Sequence, residues 1–193
     1  TIMKIISWNI NRKAEAWYSI LDSGADVVLL QEATEPPPEV SKILDIDPAP
    51  WRTSGYQQRP WRAAVAVLSK ELGCSWIPSS EPNTSEKGDF EVSRLGTVAA
   101  VEISPSGQEP IILISMYAVW ETLRARSVIY ADASVHRIIS DLSTFIGGAK
   151  TTRIVAAGDL NILHGYGEHG DAHFAERYRT IFDRFSALRL DFV

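Results

Sequence analysis

The sequence is poor in several features that define whole classes of protein. It has one cysteine, Cys74, among 193 residues, which excludes an internal disulfide framework and leaves stability to the core. No apolar run approaches the roughly 20 residues that a membrane-spanning helix needs. The first residues lack the basic-then-apolar pattern of a secretory signal peptide. These absences predict a cytoplasmic protein without a membrane span.

The sequence also lacks an excess of positive charge. Its formal net charge of -5 is not typical of a protein that coats nucleic acid non-specifically. Any phosphate-bearing substrate would therefore be held locally, by a few Arg or Lys residues or by a metal ion. Nothing in the sequence indicates an obligate protein partner.

What the sequence does contain is an alternation of strand-like and helix-like apolar runs, in a chain that is 45% hydrophobic. Strands are predicted at residues 3–8, 27–31, 63–69, 97–103, 111–117 and 153–157. Helices are predicted at residues 14–22, 39–44, 128–146 and 174–188. The turn "SPSGQ" joins two strands into an antiparallel hairpin, so a mixed sheet is expected. Residues 1–193 are predicted to form one layered α/β domain.

Polar residues follow four of these strands at the point where each one ends. The first strand ends in "SWNIN" and the second in "VVLLQE", while the strand before residue 158 is followed by a Gly that we expect to turn the chain sharply. In layered α/β folds such ends meet at one rim, where ligands bind. The residues concerned are Asn9, Asn11, Glu32, Tyr117, Asp159 and Asn161.

The chemistry of these side chains indicates a hard divalent cation and a phosphate. Mg²⁺ prefers oxygen ligands and keeps several waters, which suits one Glu with Asp and Asn oxygens nearby. Asp159 would orient or deprotonate a water, while Asn161 and Tyr117 would donate hydrogen bonds to phosphoryl oxygens. Each residue type also has a structural use, since Asn forms turns and Glu caps helices.

Five segments in order make the chain resemble a known family. "SWNIN", "ADVVLLQE", "AAVAVLSK", "ISMY" and "AAGDLNI" have the order and approximate spacing of the endonuclease/exonuclease/phosphatase superfamily. The resemblance implies the DNase I-like fold, a four-layer α/β sandwich in which helices flank two mixed β-sheets. It also implies metal-dependent hydrolysis of phosphoesters.

The resemblance carries over to individual residues by motif position. It implies that Glu32 and Asn9 hold Mg²⁺, with Mn²⁺ as an alternative, and that Asn11 lies close by on the substrate side. It implies that Asp159 and Asn161 position the nucleophile and the phosphate. Tyr117 would contact the phosphate, although "YAVWE" differs from the Tyr-x-Pro-Asn form of abasic-site endonucleases, which argues against DNA repair.

The histidines depart from the family pattern. Family members carry an Asp-His motif on further C-terminal strands, and none of the four histidines of this chain lies in such a motif. We therefore expect an incomplete domain that lacks its last strands and its catalytic histidine, and that hydrolyses phosphoesters poorly. His169 and His173 with Asp171 have helical spacing that would suit zinc, the alternative being a loop. The other histidines are His136 and His164.

The segment "WRTSGYQQRPWR" combines basic and aromatic residues. Arg52, Arg59 and Arg62 would hold phosphates while its aromatic rings stack on a base. The alternative is a packed surface loop.

Three functions remain open from the sequence. The first is a Mg²⁺-dependent phosphodiesterase or nuclease, with nucleic acid as one candidate phosphoester substrate. The second is a phosphatase that acts on a small or lipid-derived phosphoester. The third is a non-catalytic binding module on the same fold.

Overall fold

The computed structural model describes residues 2–53, 58–86, 89–122, 129–146, 153–163 and 172–193. The chain forms two compact units. The first contains residues 1–117 and 151–159, and the second contains residues 118–150 and 160–193.

The strands are short to medium in length, and most belong to the first unit. In chain order they are β1 (Ile5–Asn9), β2 (Val27–Ala33), β3 (Asp45–Ile46), β4 (Arg62–Val67), β5 (Gly73–Ile77), β6 (Ser79–Ser80), β7 (Phe90–Glu91), β8 (Val98–Ser104), β9 (Ile111–Tyr117), β10 (Glu121–Thr122), β11 (Ile129–Tyr130) and β12 (Arg153–Asp159).

Two four-stranded mixed sheets form the body of the first unit. One has the order β1-β2-β4-β3, with β1 parallel to β2 and the other pairs antiparallel. The other has the order β12-β9-β8-β5, with β12 parallel to β9 and the other pairs antiparallel. The buried Ser115 of β9 donates a hydrogen bond of 2.7 Å to the carbonyl of Leu30 in β2, so these sheets pack face to face.

Two helices cover the outer face of the first sheet. They are α1 (Glu15–Leu21) and α2 (Pro38–Ser41), and α1 ends before Gly24, whose φ is 64°. Trp17 and Ile20 lie one helical turn apart on α1, and both are fully buried against alternate residues of the sheet such as Val28 and Leu30.

The second unit is built around two helices. They are α3 (Asp132–Leu142), continued by a 3₁₀ turn at Ser143–Phe145, and α4 (Ala172–Ala187). Arg177 of α4 pairs with the buried Asp132 of α3 at 2.6 Å. The short strands β10 and β11 pair antiparallel in the same unit.

The predicted α/β class with two mixed sheets is confirmed. β5 was not predicted, because "GCSWI" is short and has a Gly at its start. Helix α2 begins at Pro38 and ends at Ser41, earlier than the predicted range of 39–44. Within the part of the chain that the structure describes, no helix has the length and hydropathy to cross a membrane.

Candidate active site

Three strand ends of the first unit bring their polar side chains together. Asn9 ends β1, Tyr117 ends β9 and Asp159 ends β12, where it is paired in register with Tyr117. The amide nitrogen of Asn9 donates to a carboxylate oxygen of Asp159 at 2.8 Å. This bond joins residues of the two sheets that are 150 positions apart in sequence.

A β-bulge aims Glu32 into the same cluster. The pairing of β2 with β4 shifts between Leu30 and Ala33, and Glu32 has a φ of 48°. Its carboxylate accepts a hydrogen bond from the Tyr117 hydroxyl at 3.2 Å and a longer one from the Asn9 amide at 3.4 Å. Bulges often re-aim a side chain beside an active site, and this one brings Glu32 to the residues that the sequence predicted with it.

A buried hydrogen-bonded contact between the two sheets stabilises the strand that contains the bulge. Gln31 donates to the hydroxyl of Ser115 at 3.1 Å, and Ser115 in turn donates to the carbonyl of Leu30. Both polar side chains are almost fully buried, so their hydrogen bonds offset a desolvation cost and fix the strand that carries Glu32. Sequence reasoning missed this pair, since nothing local distinguishes Ser115 within "IILISMY".

The chain after β1 adopts a strained backbone that serves the site. Asn11 and Arg12 have φ values of 47° and 61°, a conformation that costs a non-Gly residue about 1–2 kcal/mol. The backbone N–H of Asn11 donates to the side-chain oxygen of Asn9 at 2.9 Å, which orients that amide. Such strain clusters at functional sites.

Arg12 adds a positive charge that sequence reasoning missed. Its backbone N–H donates to the carbonyl of Glu32 at 2.9 Å, and its guanidinium lies 3.2 Å from the second carboxylate oxygen of Glu32. The Arg12 side chain is about half exposed. The contact with Glu32 therefore lies at the solvent side of the cluster.

Gly158 is required by a close approach of backbones and not by a turn. It lies within β12, and a Cβ atom added there would stand 1.9 Å from the carbonyl oxygen of Met116 on β9. The expected sharp turn at this glycine is therefore wrong. Its lack of a side chain lets β12 approach β9 at the residue before Asp159.

The carboxylate oxygens of the cluster are suitable ligands for a hard divalent cation. Glu32 and Asp159 each contact the Asn9 amide, so two carboxylates and an amide are grouped in one place. Mg²⁺ is commonly bound through one or two carboxylates and keeps several waters. In the described ranges no three His, Cys, Asp or Glu residues are placed to hold a metal ion, which is the number a zinc site would need.

Asn161 belongs to the second unit. It has a φ of 51°, and its side-chain amide donates to the carbonyl of Ala118 at 2.8 Å. Its catalytic role stays a prediction. Of the histidines, His136 lies on α3 beside Arg184, whereas His164, His169 and Asp171 and the side chain of His173 lie outside the described residues.

The predicted basic cluster divides into three different situations. Arg52 is exposed, just before residues that are not described. Arg62 is 1% exposed and makes an ion pair of 2.6 Å with Asp47. Arg59 is 9% exposed and stacks on Trp61, with 4.5 Å from its guanidinium carbon to the ring centroid. Substrate binding by all three stays a prediction, and the observed contacts of Arg62 are internal.

Trp61 connects Arg59 to the carboxylate cluster. Its ring packs edge-on against the ring of Tyr117, with 5.1 Å between the centroids. The Arg12 guanidinium lies 6.0 Å from the same Trp61 ring. A row of contacts thus runs from Glu32 through Tyr117 and Trp61 to Arg59.

The sequence matches a family model over residues 6–193. The model is described as Endonuclease/Exonuclease/phosphatase family. The chain belongs to the endonuclease/exonuclease/phosphatase family. The match includes all of the strand ends described above. No curated protein is similar enough in sequence to count as a match.

Solved structures of this family share the fold. The endonuclease domain of TRAS1, a telomere-specific non-LTR retrotransposon, has a TM-score of 0.59 and 16% identity, covering 96% of this chain and 72% of that one. A humanized D. rerio TDP2 has a TM-score of 0.50 and 15% identity, covering 87% and 67%. ANGEL2, a 2′,3′-cyclic phosphatase, has a TM-score of 0.52 and 15% identity, covering 80% and 45%. These likenesses establish the DNase I-like fold.

Proposed function

We propose that this chain is a Mg²⁺-dependent phosphoester hydrolase that acts on phosphodiesters, as a nuclease does. The observation that carries the proposal is the cluster of Asn9, Glu32, Tyr117 and Asp159, in which hydrogen bonds between strand ends gather two carboxylates. Membership of a family of phosphoester hydrolases supports the same chemistry.

The residues divide the work of hydrolysis between them. Glu32 would hold Mg²⁺ or Mn²⁺ through its carboxylate, and Asn9 would do so through its side-chain oxygen once its amide turns from the contacts that it makes here. The bound ion would neutralise charge on the phosphoryl oxygens. Asp159 orients the attacking water and accepts its proton, and as the phosphorus–oxygen ester bond breaks the leaving oxygen takes up a proton from solvent. Tyr117 would turn its one hydroxyl hydrogen from Glu32 to the phosphate and donate a hydrogen bond there, and Asn161 is proposed to donate another.

The Asn9 amide also keeps the two carboxylates in place before substrate binds. Its nitrogen bridges Glu32 and Asp159, while its oxygen is held by the backbone of Asn11.

A panel of substrates distinguishes between hydrolysis of diesters and hydrolysis of monoesters. The purified chain would be given a simple diester, bis(p-nitrophenyl) phosphate, the monoester p-nitrophenyl phosphate, and single-stranded oligonucleotides, each with Mg²⁺, Mn²⁺ or chelator. We expect slow metal-dependent cleavage, faster for the diesters than for the monoester. Faster cleavage of the monoester would favour the phosphatase alternative.

Glu32→Gln tests the role of the metal. The substitution keeps the volume but removes the charge that would fix the cation, so kcat/KM should fall roughly a thousandfold. Isothermal titration with Mg²⁺ gives a second readout that does not require turnover, and binding should be lost.

Glu35→Gln is the matched control, because it makes the same chemical change at an exposed position three residues further along. It should leave both Mg²⁺ binding and turnover unchanged. Equal Mg²⁺ affinity in the wild type and in Glu32→Gln would contradict the proposal. Absence of Mg²⁺ binding in the wild type would favour the non-catalytic module.

A further inference from the structure

Arg59 is a buried cation with guanidinium nitrogens that lack a hydrogen-bond partner within the described ranges. Its Nε and Nη1 atoms are buried and have no hydrogen-bond partner among the described residues. Leaving a buried charged group without hydrogen bonds costs several kcal/mol of desolvation in general. A buried guanidinium without hydrogen-bond partners points to a ligand that accepts its hydrogen bonds.

The backbone around Arg59 is held firmly in spite of this cost. The N–H of Arg59 donates to the hydroxyl of Thr53 at 2.9 Å, and the N–H of Thr53 donates to the carbonyl of Arg59 at 3.0 Å. These reciprocal bonds join Thr53 to Arg59. The stacking of the guanidinium on Trp61 then fixes the side chain from one face.

Charged groups around Arg59 act on its pKa. Burial lowers the pKa of Arg59, Tyr117 and Glu32 raise it, and the positive charge of Arg94 lowers it. Arginine nevertheless stays protonated in proteins. An anion bound to Arg59 would offset the cost of burying this cation.

Contacts connect Arg59 to the carboxylate cluster. Its guanidinium stacks on Trp61, Trp61 packs against Tyr117, and the Tyr117 hydroxyl donates to Glu32. The ion pair of Glu32 is with Arg12. An anion bound to Arg59 would therefore be a neighbour of a phosphate held between Glu32 and Asp159.

We propose that Arg59 binds a second phosphate of the substrate next to the one that is hydrolysed. The substrate class is accordingly a nucleic-acid strand, in which every internal phosphodiester is flanked by another phosphate. This inference rests on the proposed function for the location of the hydrolysed phosphate.

The test compares dinucleotides that differ only in one terminal phosphate. The wild-type chain, in chelator so that nothing is hydrolysed, would be titrated with dTpdT, with the same dinucleotide carrying a 5′-phosphate, and with the one carrying a 3′-phosphate. Charge-assisted hydrogen bonds to a buried guanidinium should strengthen binding of one phosphorylated form by roughly tenfold. Arg59→Gln should reduce that preference to within about twofold while binding of dTpdT changes little.

Two further variants and one control test whether the preference depends on the guanidinium of Arg59. Arg59→Lys retains the charge but loses the planar fork of donors, so it should keep only part of the preference. Arg94→Gln removes the neighbouring charge and should also weaken the preference. Lys42→Gln, which loses one positive charge at an exposed position, should bind all three ligands as the wild type does. Thermal unfolding of each variant establishes that it is folded.

The possible outcomes separate this inference from the proposed function. Equal affinity of the wild type for all three dinucleotides, or no measurable binding of any of them, would overturn the inference. So would an equal loss of affinity for all three in Arg59→Gln, since Arg59 would then contact the shared phosphodiester. An Arg59-dependent preference for fructose 1,6-bisphosphate over fructose 6-phosphate, without one among the dinucleotides, would overturn the nucleic-acid assignment. Failure of the proposed function appears separately, as an absence of metal-dependent hydrolysis.

Discussion

Arg59 and Arg62 come from one short segment and are both buried, yet their surroundings differ. Arg62 pairs with Asp47 at 2.6 Å and also donates to the carbonyls of Ala49 and Ala63. Both guanidinium groups stack on a Trp ring, but Arg59 has two nitrogens without a hydrogen-bond partner in the described ranges, whereas Arg62 has one. The fold pairs the charge of Arg62 with a carboxylate, and no such ion pair is present for Arg59 among the described residues.

The difference shows that two arginines of one segment have different roles. Arg62 contributes to stability, and Arg59 is proposed to bind a ligand. Asp47 is itself held by the N–H of Val65 at 2.8 Å, so the pair with Arg62 fastens β4 to the segment after β3. Among the residues that the structure describes, no carboxylate does the same for Arg59. Polar groups that are satisfied inside a protein stabilise its fold, whereas those kept unsatisfied at a site are available to a ligand.

Removal of each arginine side chain should therefore have opposite consequences. Arg62→Met leaves the carboxylate of Asp47 buried without its partner, and we expect a loss of about 3–5 kcal/mol in the free energy of unfolding. Arg59→Met removes a buried charge that has no paired carboxylate, and it should change stability by less than about 1 kcal/mol or increase it. Urea denaturation at pH 7 measures both values.

Asp47→Asn provides the control for this comparison. Combined with Arg62→Met, it removes the orphaned charge but keeps an acceptor for the N–H of Val65, so part of the lost stability should return. Similar losses in Arg62→Met and Arg59→Met would mean that Arg59 is as structural as Arg62, and the comparison would fail.

Glycine substitutions allow a similar comparison of two backbone positions, Gly158 beside the candidate site and Gly73 away from it. A methyl group at Gly158 would meet the backbone of Met116 at 1.9 Å, and neighbouring backbone cannot move aside without shifting β12. Gly158→Ala should cost about 1–3 kcal/mol of stability, as overpacking does. It should also reduce turnover, because the shift would displace Asp159.

Gly73→Ala is the matched control for this prediction. Gly73 also lies in a strand of the same sheet, but an added Cβ would stand 3.6 Å from Ser104, an ordinary contact distance. Denaturant unfolding should find this variant within about 0.5 kcal/mol of the wild type. If both glycine variants were equally stable, the close approach of β12 to β9 would have no energetic consequence.

Much of the fold and part of the candidate site followed from local patterns. Apolar runs with period two or 3.6 mark the strands and helices, and polar residues directly after a run mark strand ends. Asn9, Glu32, Tyr117 and Asp159 are therefore recognisable from sequence, and the structure brings them together.

What the sequence did not predict depends on contacts between distant segments. The difference between Arg59 and Arg62 arises from Asp47, which lies in another loop, and no local feature of "QQRPWR" contains it. Arg12 reaches Glu32 only because of positive φ values in the segment after β1. The role of Gly158 likewise depends on the neighbouring strand, so a turn was expected where a close approach exists.

The smallest expected effect concerns a cationic contact in the second unit that depends on pH. His136 and Arg184 lie with 2.8 Å between a ring nitrogen and a guanidinium nitrogen, and Asp132 and Arg177 are also nearby. Burial and the charge of Arg184 lower the pKa of His136, and Asp132 opposes them. The neutral ring can accept the hydrogen bond from Arg184, whereas a protonated ring would place two cations in contact.

The sign of the pH dependence follows from this lowered pKa. Above the ordinary histidine pKa of about 6.5 the contact is fully present, and as the pH falls towards the lower folded-state value the unfolded chain binds the proton more readily. The wild type should therefore lose more stability between pH 7 and pH 5.5 than His136→Gln does, by a small amount because the ring is partly exposed to solvent. Urea midpoints at the two pH values give the difference, and Arg184→Gln should also reduce it. Parallel midpoint shifts in the wild type and in His136→Gln would show that this contact does not contribute to the pH dependence of stability.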